Sequence, residues 1–393
     1  RSQMLMSHPV ISQRIRRHSK GDRAAIAAII VGMMGLAYGS IADAGAASAP
    51  SFLSSLGTPT MVGSTVPANG DVNPYGILVV PSTTGKLTQG NTLISNFNEK
   101  ANVQSTGSTI VEVSPSGTLS TFATIASLPP AHQCPGGVGL TTALSVLPGG
   151  WVVVGSLPAG ANGALPLANP AGCLIVLNSN GAVVETWTNA NINGPWDMTE
   201  TSTSTGADLF VANVLSRPAG TSATPKSGDA STIVRISVSL SAAAAPRVTS
   251  SVVIGSGFTS QANKAALVQG PTGVILGHNG TLYVAETLQN RVSEIPNALT
   301  RMSPVADGTK TLTSGGWLNA PLGLTFAPNG DILVMNANNG NAVEVSPSGH
   351  QLTKATLVPK GAGDLFAAAI TANGKGLLFV NDGTNALDLA TVR

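Results

Sequence analysis

The phrase V-E-V-S-P-S-G occurs twice in this chain, at residues 111–117 and again at 343–349. Each copy reads as the end of a strand, a tight turn and entry into the next strand. Looser copies lie between them, L-I-V-L-N-S-N-G at 174–181 and I-V-R-I-S-V at 233–238. A strand–turn unit copied within one chain implies a repeat architecture, in which each unit buries its apolar face against its neighbours.

The full repeat is larger than the phrase. A Pro, a spacer and a Gly precede an apolar run at Pro74-Tyr75-Gly76, Pro135-Gly136-Gly137, Pro271-Thr272-Gly273 and Pro321-Leu322-Gly323, with Pro195-Trp196-Asp197 as a variant. A further start at Gly363-Asp364 has lost the Pro. A turn follows, with Asn-Gly at Asn279-Gly280, Asn329-Gly330 and Asn373-Gly374. Both residues of that pair tolerate positive φ, as hairpin turns require. Second runs end at Asn96, Gly155, Asn213, Glu286, Asn336 and Asn381, and third runs follow as T-I-V-E-V, C-L-I-V-L, T-I-V-R-I, R-V-S-E-I, A-V-E-V and A-L-D-L.

Six units of roughly 40–75 residues are the size of propeller blades, each of four antiparallel strands. The expected fold is therefore all-β, a single six-bladed β-propeller over residues 50–393 with no helix beyond two turns. The sixth unit shows three strands, so the ring is expected to close with an N-terminal strand from 52–66, which removes the open edge.

Composition agrees with this and narrows the partners. Charged residues are 10% of the chain, against a usual quarter, while hydrophobic residues are 42%, which excludes disorder. The net charge of +2 draws on several basic residues before residue 24, leaving no basic stripe for nucleic acid.

Residues 1–49 read as a targeting segment. Arg14, Arg16, Arg17, Lys20 and Arg23 precede an apolar run at 24–38, and A-x-A triplets follow at 42–49. The run is either a cleaved signal peptide or an anchor. It is short of the about 20 residues a span needs, which favours the signal peptide and a secreted or periplasmic protein. In such an oxidising compartment Cys134 and Cys173 are expected to form a disulfide, two buried thiols being the other reading. Closing that loop contributes about 3–4 kcal/mol in the chain-entropy model.

The stretch P-T-G-V-I-L-G-H-N-G-T-L-Y-V-A-E-T-L-Q-N-R-V-S-E-I at 271–295 resembles an NHL repeat. The copy at 321–345 is similar but has Ala342 where the family's Arg falls. The resemblance runs from about residue 74 to the C-terminus and implies a six-bladed propeller. It does not imply one activity, because NHL-like propellers include lyases, lactonases and pure binding modules.

If the Pro-x-Gly start opens the innermost strand, it lies at one mouth of the ring, named the top here. The Asn-Gly turns then lie at the bottom. The second strand returns upward, so Asn96, Asn213, Glu286, Asn336 and Asp382 should ring the top mouth with Tyr75, Trp196 and Asp197. Polar strand ends either cap their own turns or offer convergent groups to a ligand. Long links at 97–108, 156–172 and 214–231 rise on the same face. These eight residues are the expected binding set, for a small molecule, glycan or protein.

Catalytic groups are scarce, which favours binding over catalysis. The alternative is a metal-assisted hydrolase or lyase of the lactonase-like or virginiamycin B lyase-like kind. It would hold one calcium or magnesium ion at the top of the channel with Glu286, Asn213, Asn336 and Asp382, against no cofactor at all in the binding reading. Calcium takes about six to eight oxygens, and this set is sparse. A lyase would want a His base, and His132 is the one expected on the top face.

Overall fold

The structure, a computed structural model, describes residues 50–125, 127–158, 171–214, 229–242, 244–263, 267–306 and 310–393. The targeting segment and most of the 156–172 and 214–231 links lie outside the described residues. Six sheets stand around a central channel, five antiparallel ones of four strands and one, blade three, enlarged to six with a parallel pairing at Val305–Ala306. Each inner strand lies beside the inner strands of its two neighbours, and that of blade six lies beside blade one.

Blade one consists of Val72–Val79, Thr92–Asn98, Thr109–Val113 and Leu119–Thr124, from the channel outwards. Blade two consists of Leu144–Leu147, Trp151–Ser156, Cys173–Leu177 and Val183–Trp187. Blade three is built on Pro195–Ser202, Gly206–Asn213, Asp229–Ser241 and Ala244–Asn263. Blade four consists of Pro271–Leu276, Leu282–Glu286, Arg291–Ile295 and Thr311–Ser314. Blade five consists of Pro321–Phe326, Ile332–Asn336, Asn341–Val345 and Gln351–Thr356. Blade six consists of Leu365–Ile370, Gly376–Asn381 and Ala386–Thr391, and its outermost strand is Thr60–Ser64, which pairs with Ala386–Thr391. The described helix is one turn, Phe52–Ser55, with a 3₁₀ turn at Thr287–Gln289.

The repeated phrase has a packing reason. In S-P-S-G the Gly amide closes the turn on the first Ser carbonyl, 2.9 Å in both copies. Gly117 and Gly349 stand at φ 85° and 89°. A Cβ on either would collide with the carbonyl of Val62 or Leu312, on the outermost strand of the preceding blade. The turn therefore locks each blade to its neighbour, and only Gly supplies both the dihedral and the clearance. The Glu of the phrase does a second job. Glu344 accepts hydrogen bonds from the amides of Phe52 and Leu53 at 2.8 and 2.7 Å, and Glu112 accepts from the amide of Thr88 at 3.0 Å. The phrase is kept because it fastens two kinds of neighbour.

Pro-x-Gly marks a bulge at the head of the inner strand. Pairing slips between Pro74 and Ile77, Pro271 and Val274, and Pro321 and Leu324. Pro suits a first strand position, where no ladder N–H is needed. Blade two departs from the expectation. Its Pro135-Gly136-Gly137 lies in the preceding loop, and its inner strand begins at Leu144, paired with Val154. Counting back from that pair puts Thr141-Thr142-Ala143 in the Pro-x-Gly place. The expected disulfide is present, Cys134 to Cys173 with Cα atoms 5.5 Å apart, and pins that loop to the third strand of its blade.

Candidate functional site

Each polar strand end lies beside the head of its own blade's inner strand. Asn96 pairs with Pro74, Asn213 with Pro195, Glu286 with Pro271, Asn336 with Pro321 and Asn381 with Leu365. Their side chains, however, are buried, and each makes at least one hydrogen bond within the protein, while Asn96 Oδ1 and Asn381 Oδ1 have no partner. Asn213 accepts from the amides of Asn193 and Gly194, both at 3.2 Å, and donates to the carbonyl of Asn191. Asn336 accepts from the amide of Asn319 and donates to the carbonyl of Trp317 at 2.8 Å. Asn96 donates to the carbonyl of Thr65 at 2.7 Å. Glu286 takes a two-pronged ion pair from Arg291, at 2.9 and 2.5 Å, and a short hydrogen bond from Ser293. Glu286 and Arg291 both lie in the 271–295 stretch, where their ion pair closes a turn.

These contacts decide the fit of a metal. Asn213 and Glu286 have committed their oxygens to protein donors, and Asn336 has accepted a backbone amide. Asp382 stands beside Asp364, its carboxyl pushed up to about 7 by burial first and by Asp364 second. Among the described residues, no three His, Cys, Asp or Glu side chains are grouped as metal ligands. The expected four do not fit a calcium or magnesium site. His132 sits 3.5 Å from Glu185, on the outermost strand of blade two.

Tyr75 and Trp196 fill the mouth rather than face solvent, at 1% and 4% exposure. The Trp196 indole N–H donates to the Tyr75 hydroxyl at 2.8 Å, and the rings meet edge to face at 5.8 Å. Phe366 packs on Tyr75 at 5.8 Å, and Leu140 and Leu322 complete the cluster. The top of the channel is thus an aromatic plug.

Below the plug the channel holds a cavity of about 420 Å³, walled by the inner strands of all six blades. It runs down to Pro81 and Glu200 at the turn side. Aligning the blades by their strand pairing gives two telling positions. The first is Gly76, Ala143, Gly273, Gly323 and Ala367 in five blades, and Asp197 in blade three. The second is Val79, Val146, Leu276, Phe326 and Ile370 in five blades, and Glu200 in blade three. A Cβ on Gly323 would collide with the carbonyl of Phe366, so this position lets inner strands touch.

Asp197 breaks that rule. Its carboxylate accepts from its neighbour Met198 at 2.9 Å and from the amide of Val274 on blade four. Burial nevertheless pushes its carboxyl up to about 7. Glu200 is also raised by burial, and its Oε2 has no hydrogen-bond partner. No Lys, Arg or His lines this cavity among the described residues. Asp197 was among the expected residues. Glu200 was not, and the signal that finds it is an acid where every other copy is apolar.

No protein-family model matches the chain, and no curated protein matches it. Among solved structures, it is similar to a gluconolactonase from Xanthomonas campestris, at 11% identity and a TM-score of 0.51, over 84% of this chain and 89% of that one. A streptogramin B lyase matches at 12% and 0.47, over 85% and 97%. Regucalcin from Agrobacterium tumefaciens, a calcium-binding protein, matches at 11% and 0.47, over 84% and 93%. The first of these likenesses supports the fold alone, a six-bladed β-propeller, which is what the six sheets of this chain form.

Proposed function

We propose that this chain is an exported binding propeller that holds a small molecule in its central channel, entered from the turn side. One observation carries the reading. Blade three places two carboxylates in the channel wall where the other blades have small or apolar residues. A half-buried acid without a basic partner lowers stability, and a ligand would account for it where the repeat does not. The cavity volume lies within the range of small-molecule sites. Export is supported by the Cys134–Cys173 bond, which belongs to oxidising compartments.

The test is a thermal-shift screen of small molecules against the folded protein and an Ala369→Trp variant, which fills the cavity wall. Hits that stabilise the parent and lose their effect in the variant support the reading. Hits indifferent to the variant place binding elsewhere and remove it.

A second reading, a hydrolase or lyase, is favoured by one feature of the same site. A carboxyl held at about 7, as in Asp197, is suited to act as a general base near neutral pH. Three of the four expected metal ligands, Asn213, Glu286 and Asn336, already have their oxygens engaged by protein donors. Turnover of a channel ligand, lost in Asp197→Asn while binding persists, would favour this reading.

A further inference from the structure

Resting on the channel reading above, we infer that the ligand is an elongated organic dication, a linear aliphatic diamine in its chemical class. Asp197 and Glu200 are the charged residues of the cavity wall. Both are acids, so an occupied cavity is electrically balanced by two positive groups. They stand three residues apart on one regularly paired strand, so their Cα atoms are about 10 Å apart and their side chains leave its opposite faces. A ligand that meets both acids needs two positive groups joined by a chain. Between the acids the wall offers Ile77, Leu78, Met198 and Leu324, apolar contact for methylenes.

Each acid keeps acceptor capacity for an ammonium donor. Asp197 accepts two backbone amides and has further lone pairs, and Glu200 Oε2 is unengaged. Placement by depth orders the ligand. Asp197 lies under the plug beside Tyr75, and Glu200 lies towards the mouth. The titratable group facing Asp197 from blade one is Tyr75, itself pushed well up by burial and by the Asp197 charge. Blade four presents the Val274 amide to it.

The experiment is calorimetric titration of the folded protein with 1,6-diaminohexane, hexylamine and 1,6-hexanediol, at pH 6 and pH 8. The diamine should bind at least about tenfold more tightly than hexylamine, and the diol not at all. Asp197→Asn and Glu200→Gln should each cost about tenfold, while Glu185→Gln on the outer surface changes nothing. Diamine affinity should rise from pH 6 to pH 8 as Asp197 ionises, and this rise should vanish in Asp197→Asn. Equal binding of diamine and diol, or diamine binding unchanged in both variants, overturns the inference. A neutral or anionic screening hit lost in Ala369→Trp would keep the channel reading and still remove the diamine. A screen in which no hit is sensitive to Ala369→Trp would remove the channel reading itself.

Discussion

Blade five keeps the repeat at each position that decides packing, and blade three departs from it at several. In blade five, Gly323 lets the inner strand touch blade six, Phe326 ends that strand in apolar packing, and Glu344 fastens the N-terminal segment. In the matching places blade three has Asp197, Glu200 and Arg235, the last donating to the carbonyl of Ala298 at 2.7 Å. Its outer strands, Asp229–Ser241 and Ala244–Asn263, run 13 and 20 residues against 5 and 6 in blade five. Five copies of a unit define what the scaffold requires. A charge present in the remaining copy, and costly there, belongs to something other than the scaffold.

The comparison breaks most readily at Gly323. Gly323→Asp should place in blade five the residue that blade three tolerates. Its Cβ meets the carbonyl of Phe366, so the variant should lose about 3–5 kcal/mol or fail to fold. An unfolding free energy within about 1 kcal/mol of the parent, from denaturant titration, would mean that this position needs no small residue.

A smaller effect is expected at the clamp. Glu344→Ala strands the buried amides of Phe52 and Leu53 and should cost about 1–3 kcal/mol. Hydrogen exchange should speed up locally at residues 52–56. Global loss with no local change would show that Glu344 acts elsewhere than on this segment.

A further effect sharpens the role of Asp197 through pH. Its carboxyl is held at about 7 when folded, against about 3.8 when free. The folded state thus binds the proton more tightly than the unfolded state. Stability from this group is greatest below about pH 4 and falls as pH rises through 7. Asp197→Asn removes that loss, so its melting temperature relative to the parent should climb between pH 5 and pH 8. A constant difference across that range would place Asp197 outside the titration.

Much of the fold was legible because its determinants are local and repeated. V-E-V-S-P-S-G and Asn-Gly are turn chemistry, and turn chemistry copied at intervals specifies blades. Blade two was misplaced for the same reason. Pro135-Gly136-Gly137 carries the local signal, while strand pairing chose Thr141-Thr142-Ala143, which carries none. The site was less legible. Tyr75 and Trp196 read as part of the binding mouth, because nothing local says that Phe366, almost 300 positions after Tyr75, closes over them. Asn213 and Asn336 read as either turn caps or convergent polar groups, and the backbone partners that engage them are visible only in three dimensions. Glu200 became visible once strand pairing aligned the blades and showed five apolar residues in its place.

The most direct test restores the repeat. Asp197→Gly combined with Glu200→Val gives blade three the residues of blade one, and its thermal unfolding at pH 8 can be compared with that of the parent. If the two acids serve a ligand, the double variant should melt at the same temperature or several degrees higher. If it melts several degrees lower, the acids hold blade three together and the channel has no claim to be the site.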